Sequence, residues 1–300
     1  MLPISRLKLA TCISFLFIFV VGLGLFGTIR LVTHAASTTS TKSKVAFTCG
    51  SWDVISSPNP GVGNESLYGI AAVSVNDVWA VGNTQNNEVG NPQTLIEHWD
   101  GTTWNFISSP NPSSLFNVLY GVVAISANNV WAVGYYQTSN SNFTPTHGLI
   151  EHWDGTSWSV VPSPNPGSIY NYLNGVTATS ATNVWAIGGY QSSGNTLTLT
   201  EHWNGKRWKV ISSPNSGTQG GLLNAATQVP GTKQVWAIGN PQTLIEHWNG
   251  TSWRVVPSPS VGTSFNYLTG VTRVPGTKQV WAVGYYNAGS YTQTLIEFYC

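Results

Sequence analysis

Three short blocks of sequence recur five times along the chain, and this repetition limits the possible folds more than any other feature. The first block, Trp-x-Val-(Ile/Val)-x-Ser-Pro or a close variant, begins at Trp52, Trp104, Trp158, Trp208 and Trp253. The second block, Val-Trp-Ala-(Val/Ile)-Gly, contains Trp79, Trp131, Trp185, Trp236 and Trp281. The third block, Leu-(Ile/Thr)-Glu-His-Trp, contains Glu97, Glu151, Glu201 and Glu246, and returns as Leu-Ile-Glu-Phe-Tyr around Glu297. A fixed internal period of about fifty residues indicates a repeat architecture.

Each period predicts four β-strands. In the first unit, segments rich in β-branched and aromatic residues lie at 67–74, 77–82, 95–99 and 104–107. The dipeptide Asp100-Gly101 between the last two predicts a two-residue type I′ hairpin turn. No helical periodicity interrupts residues 49–300, and four antiparallel strands per period form the blade of a β-propeller. We therefore predict an all-β, five-bladed propeller, with strands lettered a to d from the axis outward.

The two ends of the repeat region predict how the ring closes. The region begins with a lone d strand at Trp52 and ends after a c strand at Tyr299. The N-terminal strand is therefore expected to complete the last blade. Cys49 and Cys300 align with the two residues of the missing c–d turn, which predicts a disulfide across the junction. On the chain-entropy model, a disulfide that closes so long a loop would raise the free energy of unfolding by on the order of 5 kcal/mol.

The N-terminus predicts export. Residues 9–29 contain no charge and follow Arg6 and Lys8, as expected for a single membrane span with its basic side in the cytoplasm. We therefore assign residues 1–36 to a signal-anchor, residues 37–48 to a flexible tether and residues 49–300 to the propeller. This arrangement places the propeller on the outer side of the cell membrane. The alternative is a signal peptide cleaved near Ala35, which would release a secreted domain.

Composition argues against several functions. Charged residues are 8% of the chain and the net charge is +1, so there is no basic surface for nucleic acid. The predicted a strands contain no Asp, Glu or His, and of the acidic residues only Glu65 and Glu88 remain on the loop face. A catalytic carboxylate pair is therefore difficult to assemble. We predict no enzyme activity, no cofactor and no metal site. A propeller glycoside hydrolase or lyase is one alternative, and a purely structural envelope protein is another.

The repeated aromatic and acidic residues are predicted to be structural. All the tryptophans fall in the three blocks, as expected for blades covered by a neighbour on each side. A two-residue c–d turn places each third-block Glu opposite the Trp of the first block, whose indole N–H its carboxylate would accept. The predicted pairs are Glu97 with Trp104, Glu151 with Trp158, Glu201 with Trp208, Glu246 with Trp253, and Glu297 with Trp52.

The loops suggest where a ligand would bind. The d–a connections are uniform, whereas the b–c loops differ in length and are rich in tyrosine. The candidate ligand-binding residues are Tyr135, Tyr136, Tyr190, Tyr285, Tyr286 and Tyr291. Tyrosines among neutral hydrogen-bonding groups suit glycans or polar protein surfaces. We expect a monomeric, non-enzymatic extracytoplasmic binding module for an unidentified glycan or cell-surface protein. The alternative is that these tyrosines only cover strand ends.

The repeat units carry a resemblance to known proteins. The Asp-Gly-Thr-x-Trp turn is similar to the Asp-box of sialidase-type propellers, but one residue between Asp and Gly is missing. The likeness to WD and kelch repeats is more distant. Residues 49–300 most resemble exported bacterial propeller-repeat proteins with Leu-Ile-Glu-His-Trp-(Asp/Asn)-Gly-Thr-x-Trp and Val-Trp-Ala-Val-Gly units. The resemblance implies the fold and no particular activity.

Overall fold

The computed structural model describes residues 54–85, 90–139, 145–215, 220–261 and 265–300. Within these ranges the chain forms nineteen β-strands in five antiparallel sheets and contains no helix. Accordingly, these ranges hold no helix long and apolar enough to cross a membrane. The predicted anchor and tether, and also Cys49 and Trp52, lie outside the described residues.

The first three sheets each follow chain order from strand a to strand d. Blade 1 consists of β1 (Glu65–Ser74), β2 (Asp77–Thr84), β3 (Gln93–Trp99) and β4 (Trp104–Phe106). Blade 2 consists of β5 (Phe116–Ser126), β6 (Asn129–Gln137), β7 (Thr146–Trp153) and β8 (Trp158–Val160). Blade 3 consists of β9 (Asn171–Ser180), β10 (Asn183–Ser192), β11 (Asn195–Trp203) and β12 (Trp208–Val210).

The last two sheets differ in strand number. Blade 4 consists of β13 (Leu222–Gln228), β14 (Val235–Asn240), β15 (Leu244–Trp248) and β16 (Trp253–Val255). Blade 5 has three described strands, β17 (Asn266–Arg273), β18 (Val280–Asn287) and β19 (Thr292–Tyr299). The predicted repeat of antiparallel blades is therefore confirmed, while the strand predicted to complete blade 5 lies outside the described residues. In every blade the d–a and b–c connections lie at one end, the loop face.

The glycine that ends the second block is required by a β-bulge. Strand a carries a register shift opposite this glycine, between Leu67 and Gly69 in blade 1. A Cβ on Gly82 would lie 1.8 Å from the carbonyl oxygen of Ser66, closer than any side chain tolerates. The same approach recurs in the other blades at Gly134, Gly188, Gly239 and Gly284. Only a residue without a side chain allows strand a to bulge at this point.

The c–d connection differs from the predicted turn. Trp99 lies opposite Trp104, so Asp100 to Thr103 form a four-residue loop. The Asp100 carboxylate accepts hydrogen bonds from the N–H groups of Thr102 at 2.9 Å and Thr103 at 3.0 Å. This side-chain cap stabilises the longer loop.

The predicted Glu–Trp pairing is therefore wrong in the described blades. The Glu residues lie opposite Phe106, Val160, Val210 and Val255 instead. The indole N–H groups of Trp158, Trp208 and Trp253 have no hydrogen-bond partner among the described residues. The predicted pair Glu297 and Trp52 includes a residue outside the described ranges.

Consecutive blades are joined by a repeated stack of aromatic rings. In blade 2, Trp131 packs against its own blade's His152 with ring centroids 4.2 Å apart. Its other side contacts Trp203 at 4.9 Å and the edge of Trp208 at 5.3 Å, both in blade 3. The same arrangement surrounds Trp79 and Trp185. The four-ring stack explains why all three blocks end on or contain an aromatic residue.

The two terminal blades lack one of these interfaces. The innermost strands pack in the order β1, β5, β9, β13 and β17, and no comparable packing joins β17 to β1 in the described part of the chain. We call the two uncovered faces the seam; on blade 5 it includes Trp281 (42% exposed) and Ile296 (64%), and on blade 1 Ile70 (69%).

Candidate functional site

The repeated glutamates connect neighbouring blades. Glu151, Glu201 and Glu246 are fully buried. The Ser163 hydroxyl, in the d–a loop of blade 2, donates to the Glu201 carboxylate of blade 3 at 2.9 and 3.2 Å. Equivalent bonds join Ser213 to Glu246 and Ser258 to Glu297. In these three interfaces the serine of the first block therefore anchors the d–a loop to the third-block glutamate of the next blade.

Burial strongly perturbs these carboxyls. It raises the pKa of Glu151 to about 8 and that of Glu201 and Glu246 to about 7, and neighbouring serine hydroxyls oppose the rise. Burial also raises the pKa of Glu97 to about 7, with a further contribution from the charge of Glu65. Since the shift recurs in blade after blade, it is a property of the repeat and does not mark one catalytic position.

The repeated histidines are also used within the scaffold. His98 Nε2 lies 2.9 Å from Asp77 Oδ1, and His152 Nε2 lies 2.9 Å from Asn129 Oδ1. Burial lowers the pKa of His152 and His202. Across the described ranges, no group of three or more His, Cys, Asp or Glu side chains could hold a metal ion.

The six predicted tyrosines fall into groups with different surroundings. Tyr136, Tyr190 and Tyr286 pack against the hydrophobic cores between blades. Tyr135 and Tyr285 occupy the alternate face of the same strands, where they contact other rings. Consecutive residues of a strand point to opposite sides, which separates each Tyr-Tyr pair.

The sixth predicted tyrosine is isolated from the others. Tyr291 lies between β18 and β19 and is 63% exposed. It therefore remains available to a ligand from the loop face, but it does not join a larger aromatic surface in the contacts described.

Tyr135 lies at the centre of a larger aromatic surface that spans three blades. Its ring centroid is 5.4 Å from Phe116, 5.9 Å from Tyr120 and 4.9 Å from Tyr172. Tyr120 continues to Tyr68 in blade 1 at 5.1 Å, and Tyr172 continues to Tyr170 at 5.8 Å. We call this surface the aromatic row; its members are Tyr68, Phe116, Tyr120, Tyr135, Tyr170 and Tyr172.

The β-bulge of strand a positions part of this row. Tyr68 and Tyr120 are the bulged residues of β1 and β5. The same position in the next two blades holds Asn174 and Asn224, whose amides donate to backbone carbonyls of the following blade at 2.9 and 2.8 Å. At this position the inner strands therefore present tyrosines in blades 1 and 2. In blades 3 and 4 they present amides that are already bonded to the backbone of the following blade.

Blade 5 carries a second, smaller aromatic group. Tyr267 contacts Phe265 at 5.1 Å and Tyr285 at 5.3 Å. No described ring of blade 4 connects this group to the aromatic row. Of the predicted residues, Tyr135 and Tyr285 thus belong to separate surfaces. The sequence signal for the row lies in Leu67-Tyr68, Leu119-Tyr120 and Tyr172-Leu173, at the ends of the uniform d–a connections.

Comparisons with known proteins support the fold alone. No family model and no curated protein sequence matches the chain. A solved structure of YCF48 bound to D1 peptide is similar over 85% of this chain and 70% of its own, with 17% identity and a TM-score of 0.50. Sqt1 from Chaetomium thermophilum aligns over 74% of this chain and 57% of its own, with 11% identity and a TM-score of 0.45.

Proposed function

We propose that this protein is a non-enzymatic interaction module, a propeller that binds another molecule at its loop face. One observation carries the proposal: the repeated Glu and Trp side chains are used between blades and the His side chains within their own blade, whereas tyrosines at the loop face stay accessible. Tyr68 is 52% exposed and Tyr291 63%. The similar YCF48 structure is bound to D1 peptide, so peptide binding is compatible with this type of fold.

The buried glutamates do not favour a hydrolase. Glu97 has a raised pKa and a second carboxylate nearby, features often found in glycosidases. However, Glu151, Glu201 and Glu246 have similarly raised pKa values because each is buried against the preceding blade. A shared structural cause accounts for all of them.

The binding test uses the full chain, purified in detergent. It is screened against a displayed library of random peptides and against a glycan array, the two ligand classes that suit tyrosine-rich loops. Binding to either probe that free peptide or sugar of the same kind competes away supports an interaction module. The absence of binding to both would contradict it.

We further propose that the N-terminal strand completes blade 5. A cavity of about 320 Å³ between blades 4 and 5 is lined by Trp236, Val256, Val280 and Tyr299, among others. In earlier interfaces the first-block Trp of the next blade occupies this position, as Trp158 does against Trp79. The residue of blade 5 that corresponds to Trp158 is Trp52.

The proposed closure also pairs the two halves of the seam. The ring centroids of Trp99 and Trp104 in blade 1 are 6.0 Å apart, as are those of Trp153 and Trp158 in blade 2, against which Trp79 packs. In the closed ring, Trp281 would pack against Trp99 and Trp104 in the same way. Packing these faces together would bury a large apolar surface, and a Cys49–Cys300 disulfide would secure the junction. Cys300 is exposed at the end of β19.

The cellular location is proposed from the N-terminal sequence. Residues 9–29 anchor the chain, and the propeller lies outside the cytoplasm. Protease treatment of intact cells should degrade the propeller, and the protein should stay with alkali-washed membranes. Recovery in the culture medium with a new N-terminus near Ala35 would instead support the cleaved, secreted form.

A further inference from the structure

We propose that the aromatic row binds an extended, uncharged stretch of polypeptide. The proposal rests on the interaction function proposed above and names its site and its class of ligand. Of the six tyrosines that the sequence predicts as ligand-binding residues, only Tyr135 belongs to the aromatic row. The lengths of the b–c loops do not point to it either.

The row is continuous and held by regular structure. Phe116, Tyr120 and Tyr135 lie on the paired strands β5 and β6, and Tyr172 lies on β9. Ring contacts of 4.9 to 5.9 Å connect Tyr68 in blade 1 to Tyr172 in blade 3. Aromatic side chains on rigid strands lose little conformational entropy on binding, which is why tyrosine dominates many protein-recognition surfaces.

The surroundings of the row select against charge. Strands β5, β6 and β9 contain no Asp, Glu, Lys or Arg. Glu65 in β1 is the charged residue closest in sequence to Tyr68; its Oε1 accepts hydrogen bonds from the Gly61 N–H and, at 2.9 Å, the Thr84 hydroxyl, whereas its Oε2 has no partner among the described residues. Along β5, β6 and β9 a charged ligand group would lose hydration without gaining an ionic partner from these strands, so neutral segments are favoured there.

The ring geometry favours polypeptide over glycan. The rings of Phe116 and Tyr135 are stacked at 11°, those of Tyr170 and Tyr172 at 14°, and those of Tyr120 and Tyr135 at 30°. Sugar stacking requires an open aromatic face, and here most faces are used within the row. Ring edges remain for the ligand, and the hydroxyls that already bond Tyr120 to Tyr135 and Tyr172 to Thr146 keep further hydrogen-bonding capacity. These groups suit apolar side chains together with backbone N–H and C=O groups.

The phenols keep their donor character. Burial raises the pKa of Tyr120, Tyr135 and Tyr172 above the usual value for tyrosine. They are therefore neutral hydroxyls across the physiological range, able both to donate to and to accept from a peptide backbone. Asn174 and Asn224 already donate to carbonyls of the neighbouring blade, so the row ends at blade 3.

The test measures binding of peptides selected by the full chain from a displayed random library. Enriched sequences should contain few Asp, Glu, Lys or Arg residues. Tyr120→Ser should weaken binding of a synthetic enriched peptide by about tenfold or more, as expected for an aromatic hot spot. Tyr68→Ser should weaken it by a smaller factor, because Tyr68 lies at the end of the row. Tyr120→Phe, which preserves packing, should cause a loss of about twofold to fivefold from the missing hydroxyl.

The matched control is Phe106→Ser, which removes an exposed ring on the outer strand β4, outside the aromatic row. It should leave peptide affinity unchanged, and unaltered thermal unfolding should accompany each compared variant. If Phe106→Ser abolishes binding while Tyr120→Ser and Tyr120→Phe do not, the aromatic row is overturned as the site and the interaction function stands. If the glycan array yields a ligand and the peptide library none, or if enriched peptides are highly charged, the ligand class is overturned. If wild type binds neither probe, both proposals fail.

Discussion

The interface between blades 2 and 3 and the seam are built from the same sequence blocks but differ in burial. Trp131 and Trp281 occupy equivalent places in Val-Trp-Ala-Val-Gly, yet Trp131 is 2% exposed and Trp281 is 42% exposed. Trp131 has two tryptophans of the next blade against it, whereas no described residue of blade 1 covers Trp281. The blocks therefore supply the rings of each interface, while the neighbouring blade determines whether those rings are buried.

The largest expected effect comes from removing the central ring of the two interfaces. Trp131→Ala should lower the free energy of unfolding by about 3–5 kcal/mol, because it removes a buried ring from the stack between blades 2 and 3. Under the proposed closure, Trp281→Ala should cost nearly as much. Denaturant unfolding of the two variants compares them directly. A loss below about 1 kcal/mol for Trp281→Ala, typical of an exposed site, would show that the seam stays open.

The disulfide provides a covalent test of the same comparison. Mass spectrometry of the unreduced full chain should detect a peptide joining Cys49 to Cys300. Cys300→Ser should then lower stability by about 2–4 kcal/mol, because the unfolded chain regains conformational freedom. The effect should disappear when both proteins are measured in reductant, and two free thiols at these positions in the untreated protein would exclude the bridge.

A pH series tests the buried carboxyls of the interior interfaces. Because the pKa of Glu201 is raised from 4.5 to about 7, the folded state binds this proton more tightly than the unfolded state. Its stabilising contribution is therefore complete below pH 4.5 and is lost as pH rises through about 7. The wild type should be less stable at pH 8.5 than at pH 5, with at most about 3 kcal/mol from this residue.

Glu201→Gln should reduce this pH dependence by the share of one residue, since the amide does not titrate whereas Glu151 and Glu246 still do. Asp154→Asn is the matched control, because the Thr156 hydroxyl and the Ser157 and Thr156 N–H groups hold the pKa of Asp154 at about 2, outside the tested range. Equal pH profiles for wild type and Glu201→Gln would contradict the assignment of the buried proton.

The smallest expected effect concerns the serine of the first block. Ser163→Ala removes the hydroxyl that bonds Glu201 and should cost about 1 kcal/mol. When Glu201 is already replaced by Gln, Ser163→Ala should change the free energy of unfolding by a different amount, since the effects of residues in direct contact are coupled. A double-mutant cycle measures this coupling, and additive losses would argue that the Ser–Glu contact contributes nothing to blade packing.

Most of the blade could be predicted from the repeat, and the errors have local causes. The Asp100-Gly101 dipeptide usually marks a two-residue hairpin, but here the Asp100 carboxylate caps two further N–H groups and lengthens the loop. This shift moved the predicted Glu–Trp pairs out of register. The separation of Tyr135 from Tyr136 was accessible from strand alternation alone. The aromatic row was not, because Tyr68, Tyr120 and Tyr172 come from different blades.

The repeated antiparallel blades follow from local sequence alone, because strand propensity, turn residues and alternating polarity act over a few neighbouring positions. The ring types that each blade offers to the next are equally written in the blocks. Which tryptophans are covered, which tyrosines meet and how far each glutamate's pKa rises depend instead on how the blades pack. These properties depend on contacts and desolvation supplied by residues about fifty positions away, and equal sequence blocks therefore acquire unequal environments.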